Sequence, residues 1–79
     1  MKSDIDIFVI NAIRKRRETL GISQEALSYR IGRCGSFIGN IESGTRKYSI
    51  LHLNLIALEL KCSIRDFFPE QPLAGKKCF

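Results

Sequence analysis

The stretch that most restricts this chain runs from Ser23 to Gly44, SQEALSYRIGRCGSFIGNIESG. It reads as two short helices joined by a tight turn. The Ser23 hydroxyl can cap the first-turn amides of the first helix, which carries Ala26, Leu27 and Ile31 as a narrow apolar stripe. Gly32 stops that helix, because glycine enters the left-handed region without a Cβ penalty. After Arg33 and Cys34 a second helix starts near Gly35 and presents Ile38 and Ile41, with Glu42 beside them. Two helices separated by a few turn residues that include a glycine make a helix-turn-helix.

The flanking segments continue the helical period. Met1 to Ser3 is expected to be loose, and Asp4 or Asp6 to cap a first helix over 6–20. Its inward stripe is Ile10, Ile13, Arg17 and Leu20, at i, i+3, i+7 and i+10, widened by Phe8 and Val9. Arg17 is the odd member, since a charge on a buried stripe is costly unless paired. Gly21 ends this helix. After Gly44 comes a polar, basic loop, Thr45-Arg46-Lys47-Tyr48. Ser49 can cap the next helix, 50–61, which has Leu51, Leu55 and Leu58 on one side and Leu53, Ile56 and Leu60 close by. A helix apolar on more than one face, in so small a domain, packs one side in the core and offers another to a partner. Cys62 and Ser63 break it, and Ser63 with Asp66 imitates a capping box before a short fifth helix, 64–68. Pro69 and Pro72 end regular structure. The expectation is an all-α chain with helices over about 6–20, 24–31, 35–43, 50–61 and 64–68. One domain covers 1–71, and 72–79 is a flexible C-terminal tail.

Length and charge bound the function. A chain of 79 residues supports one domain with a small core. Its formal charge of +5 steers it towards polyanions, although charge alone does not separate DNA from RNA or an acidic membrane surface. No apolar run approaches the roughly 18 residues a membrane span needs. Asp4 and Asp6 interrupt the place where a secretory signal needs an uncharged core, so a cytoplasmic protein is expected. Cys34, Cys62 and Cys78 are widely spaced, there is no C-x-x-C, and His52 is the one histidine. Reduced thiols are therefore expected, with no metal and no cofactor. No Ser/His/acid or Cys/His arrangement is readable, so no enzyme is expected. His52 reads as a packing or interface residue.

The run Leu20-Gly21-Ile22-Ser23-Gln24-Glu25, Leu27, Gly32, Ile38 and Ile41-Glu42-Ser43-Gly44 resembles the Cro/phage-repressor-type (XRE-like) helix-turn-helix family of transcriptional regulators. Ser49-Ile50, Leu53, Ile56-Ala57, Leu60 and Asp66-Phe67-Phe68 extend the likeness. The resemblance implies a five-helix lambda-repressor-like domain that binds double-stranded operator DNA as a homodimer. It also implies a buried ion pair between Arg17 and Glu42, tying the first helix to the reading helix. The length resembles that of stand-alone operator-binding regulators, which include the controller proteins of restriction-modification operons and small phage Cro-like repressors, and the Tyr48-Ser49-Ile50-Leu51 step with the short C-terminus leans towards the controllers. An antitoxin-like module whose main partner is another protein is the competing reading.

In such a motif the second helix enters the major groove and the first lies across the backbone. Ile38 and Ile41 face inward, which leaves Ser36 and Asn40 one turn apart and outward. Asn40 suits the N6/N7 edge of adenine, whereas Ser36 is a shorter and less selective reader. Phe37 flanks that face, where it either rests on thymine methyls or covers the core edge. Gly35 stands where many members of the family carry a long polar reader, and Arg33 just before the helix can supply the reach or meet a phosphate. Cys34 replaces the Ser or Thr usual at the cap, so the helix start is expected to be weakly capped. Ser23, Gln24, Ser43, Arg46 and Lys47 are the candidate phosphate contacts, which fix register without reading sequence. The candidate dimer interface is His52, Leu55, Glu59, Cys62, Ile64, Phe67 and Phe68.

Overall fold

A computed structural model describes residues 2–74. Its elements are α1 (Asp4–Thr19), α2 (Gln24–Arg30), α3 (Phe37–Glu42), α4 (Ile50–Glu59) and a closing 3-10 turn, Ile64–Phe67. Among the described residues there is no strand. The last element is a 3-10 turn rather than a fifth α-helix. Pro69 pushes the residue before it out of the helical region, and Phe68 is accordingly extended at φ −112° and ψ 152°. Of the expected tail, Pro72 to Ala74 carries no helix or strand, and 75–79, with Cys78, lies outside the described residues.

Ser3, not Asp4 or Asp6, caps α1. Its hydroxyl accepts from the Asp6 amide at 3.3 Å, and the Asp6 carboxylate accepts from the Ser3 amide at 3.0 Å. The helix therefore starts two residues earlier than the apolar stripe suggests, and Ser3 is held rather than loose. Lys2 is held too, its Nζ donating to the carbonyl of Ile41 at 2.8 Å.

The helix ends share one closure. At the end of α2 the Gly32 amide donates to the Tyr29 carbonyl and the Arg33 amide to that of Ser28, with Gly32 at φ +78°. Gly44 at φ +107° does the same past α3. The end of α4 repeats these bonds without a glycine: Lys61 takes φ +55°, which costs roughly 1 kcal/mol in a residue with a β-carbon. That closure, and not Cys62 with Ser63, is what ends α4.

One core joins the elements. Val9, Ile10 and Ile13 of α1 meet Leu27, Ile31, Ile38 and Ile41 of the motif, Leu53, Ile56, Ala57 and Leu60 along α4, and Phe67 of the 3-10 turn. Of the residues placed on the inward stripe by spacing, Leu20 and Phe8 are exposed, while Val9 is buried.

Candidate nucleic-acid interface

The position of α3 is set by polar bonds as well as by its apolar side. Ser28 on α2 is fully buried; its hydroxyl donates to the Gln24 carbonyl at 2.8 Å and accepts from the Ile38 amide at 2.9 Å. This satisfies an otherwise unpaired amide in the first turn of α3. Arg17 grips the far end of α3. Its Nε donates to Glu42 Oε2 at 3.0 Å and its Nη2 to Oε1 at 2.9 Å, while Nη1 donates to the Ile22 carbonyl at 2.9 Å. Both side chains are buried, and the paired fork is the strong geometry for a guanidinium on a carboxylate. Gln24 completes the knot, with Nε2 donating to Glu42 Oε1 at 2.8 Å. Its Oε1 lies 3.1 Å from where a Cβ on Gly39 would stand, so glycine there lets Gln24 lie against α3.

The opposite side of α3 is polar and open. Ser36, Asn40 and Ser43 are exposed. The backbone carbonyl of Asn40 accepts from the Thr45 hydroxyl at 2.7 Å and the Ser43 hydroxyl at 3.0 Å, fixing the chain around an exposed amide side chain. Arg33 is exposed beside the helix start, its guanidinium 4.8 Å over the ring of Phe37. Ser23 accepts from the Ala26 amide at 3.0 Å as the cap of α2. Arg46 and Lys47 are exposed in the loop after α3.

Two candidate readers lie elsewhere. Phe37 is 4% exposed and packs edge-to-face on His52 with centroids 4.7 Å apart, so it covers the core and does not face a groove. The cause is the late start of α3: Gly35 and Ser36 belong to the turn, and the helix begins at Phe37. The cap position falls on Ser36, which makes no capping side-chain bond, and not on Cys34. Gly35 does not face open space. A Cβ there would meet Tyr29 Oη at 2.9 Å and Glu25 Cγ at 3.1 Å, so a side chain must first push Tyr29 aside.

The thiol of Cys34 sits 3.5 Å from the Ser36 hydroxyl, and that hydrogen bond, with Arg33 nearby, draws its pKa down. Burial pushes the Cys62 thiol up. Burial also raises the pKa of Tyr48, whose hydroxyl is enclosed near Glu42 and has no partner among the described residues. No group of three or more His, Cys, Asp or Glu that could hold a metal exists among the described residues, and no helix there is long and apolar enough to cross a membrane.

His52 closes the start of α4. Its Nδ1 accepts from the Ser49 amide at 3.3 Å, and its amide donates to the Ser49 hydroxyl. Burial, then Arg33, lowers its pKa. A lowered histidine favours folding in its neutral form. Its contribution is complete above the unfolded value of about 6.5 and is lost as pH falls through the folded value. The melting temperature should therefore drop on acidification below about pH 6.5, and less so in His52→Gln, which keeps a capping box. Matching pH profiles of parent and variant would show that His52 does not govern this step.

The stripe Leu51, Leu55 and Leu58 of α4, continued by Cys62 past its end, has Leu51 63% and Leu58 66% exposed, while Leu55 and Cys62 are half-buried against the core. Of the residues expected at a dimer interface, Leu55, Cys62 and Ile64 are half-buried, and Glu59 and Phe68 are exposed. Phe67, at 1% exposure, belongs to the core, because the 3-10 turn folds it inward. His52 leans on Phe37, towards α3. Spacing alone had placed Leu51 and Leu58 on a stripe, and their exposure marks them as its outermost members.

No protein-family model matches the chain. An uncharacterized HTH-type transcriptional regulator of Sinorhizobium medicae (strain WSM419) is 37% identical over 71 residues, 90% of this chain and 51% of the relative. The chain thus spans about half the length of the curated relatives it matches. Among solved structures, the restriction-modification controller protein C.Esp1396I superimposes with a TM-score of 0.74 at 32% identity, over 84% of this chain and 86% of that one. The controller C.AhdI from Aeromonas hydrophila does so with a TM-score of 0.71 at 29% identity, over 78% and 94%.

Proposed function

The chain belongs to the XRE-like helix-turn-helix transcriptional regulators, and on that premise we propose that it reads a palindromic operator in duplex DNA as a homodimer. The observation that carries this reading is the exposed polar side of α3, with Ser36 and Asn40, held rigid from behind by Arg17, Glu42, Gln24 and Ser28. A reading helix must keep its side chains in register with base edges, and this knot supplies that rigidity. Arg33 flanks the start of the helix and Arg46 and Lys47 its end, where they meet phosphates on either side of the bases read. Gln24 and Ser43 join them at the backbone, as does the amide-rich start of α2 at Ser23.

The few bases read by one short helix give little specificity, and a two-fold pair of half-sites about 34–36 Å apart restores it. The seam of that pair is the stripe Leu51, Leu55, Leu58 and Cys62, joined by Ile64, Phe68 and Glu59. Exposed leucines repeating along one helix face are what a second copy buries. The Tyr48-Ser49-Ile50-Leu51 step and the likeness to C.AhdI and C.Esp1396I favour a controller-like regulator acting in the cytoplasm.

Selection of bound fragments from a random duplex pool tests the class. An inverted repeat is expected in the enriched set, and a pool indistinguishable from its input would refute sequence-specific binding. The seam has its own test: Leu58→Asp should give a folded monomer that no longer binds the two half-sites cooperatively. A parent that sediments as a monomer at on the order of tens of micromolar, and occupies each site in one copy, would remove the dimer.

A further inference from the structure

We propose that Lys2, Arg46 and Lys47 form a seat for one backbone phosphate of duplex DNA at the C-terminal end of α3, so that the segment ahead of α1 takes part in binding. This rests on the DNA-binding reading above and adds Lys2, which comes from the other end of the fold.

The three cations converge on one cavity of about 130 Å³, lined by Lys2, Gly44, Thr45, Arg46 and Lys47 and by no carboxylate. Two of them are positioned by the fold. Lys2 crosses from ahead of α1 to donate to the Ile41 carbonyl at 2.8 Å, in the last turn of α3, where the helix presents partial negative charge. An ammonium has three donors, and that bond uses one of them. Lys47 lies 3.5 Å from Asp6 Oδ2, and Asp6 is itself fixed by the Ser3 amide at 3.0 Å and the Ser3 hydroxyl at 2.8 Å. An exposed pair of this kind is weak, so Lys47 can turn from Asp6 to a phosphate at little cost. Burial alone would raise the pKa of Asp6, but the Ser3 bonds and Lys47 outweigh it, leaving a charged carboxylate that restrains the lysine.

Gly44 lines the cavity beside Lys2. It stands at φ +107°, and a Cβ there would lie 3.9 Å from Lys2 Nζ. Donors gathered from three residues around one concave space can each take an oxygen of a single phosphate, which Arg binds as a fork and Lys as a point charge. The seat adjoins the end of the helix proposed to read bases, so the phosphate nearest to it belongs to the strand passing that end. Lys2 is therefore a positioning contact that sets register and carries no base preference.

The test is the salt dependence of binding to a random-sequence duplex, followed by fluorescence anisotropy for the parent, Lys2→Gln and Lys2→Arg. Lys2→Gln should flatten the slope of log K against log salt by about 0.9, and Lys2→Arg should keep the parent slope. Melting curves run alongside separate this from a merely structural lysine: a lowered melting temperature with an unchanged slope makes Lys2 a helix brace and overturns the seat. Inorganic phosphate at matched ionic strength is the second arm. If it raises the melting temperature of the parent but not of Lys2→Gln, while the DNA slopes coincide, the cavity serves free phosphate and the proposal fails. A parent that binds no duplex at any salt overturns the DNA-binding reading itself, whereas a binding parent with an unaltered Lys2→Gln slope overturns the seat alone.

Discussion

Glu42→Ala lowers the unfolding free energy by roughly 3–5 kcal/mol, and Arg17→Ala by a similar or somewhat smaller amount. Neither charge is compensated by solvent, since the Arg17 side chain is 8% and the Glu42 side chain 3% exposed. The two truncations leave different remainders. Without Glu42, the Arg17 guanidinium keeps the Ile22 carbonyl and, at 3.9 Å, only the exposed carboxylate of Glu18, with no buried anion, and Gln24 Nε2 loses its acceptor. Without Arg17, Glu42 still accepts from Gln24 at 2.8 Å and has Arg14 Nε at 3.9 Å. The glutamate variant is therefore the more damaged of the two. In small domains total stability is only about 5–15 kcal/mol, so either change consumes a large share of it. Urea denaturation of both variants measures the effect, and midpoints close to that of the parent would mean that the pair contributes nothing net. Replacing both residues by well-packed apolar ones is expected to be far milder than either single change, because no charge is then stranded.

How much of this was legible in the sequence depended on whether a partner is local. Helix positions followed from periodicity, and the stops at Gly21 and Gly32 from the left-handed closure that glycine favours. Arg17 stood out because the period placed a cation among isoleucines. Ser28 did not stand out. A serine within a short helix looks solvated, and only the fold brings the Ile38 amide to its hydroxyl. Lys2 is the same case, with an acceptor 39 residues away. Phe37 was left undecided by a boundary: starting α3 at Gly35 leaves its orientation open, and starting it at Phe37 turns the ring into the core. Lys61 hid the end of α4 because the residue type that marks such closures is absent there. At Gly35, where many members of the family carry a long polar reader, the obstacle to a side chain is Tyr29 from the neighbouring helix. Local chemistry thus fixed the elements, and contacts between elements decided which faces remained for a ligand.

Those faces leave Asn40 exposed on α3, where the proposed reading makes it the main base contact. Its backbone carbonyl is engaged by Thr45 and Ser43, so its amide is free to donate and accept at once. A bidentate pair with adenine N6 and N7 uses both groups, and loss of such a pair costs about 1–3 kcal/mol. Asn40→Ala is accordingly expected to weaken the best site by that amount and to relax preference at one base pair in each half-site. Affinity for random duplex should hardly change, because phosphates supply nearly all of it. Ser36→Ala should cost less, since a single hydroxyl accepts donors and acceptors alike. The fold gives no reason for Asn40→Ala to unfold the chain, as the residue is exposed and alanine favours the helix. Titration of the selected site and of random duplex, side by side, distinguishes the roles. Equal weakening on both would make Asn40 a backbone contact. Reading would then rest on Arg33, held over Phe37 beside the helix start, or on the shape of the DNA.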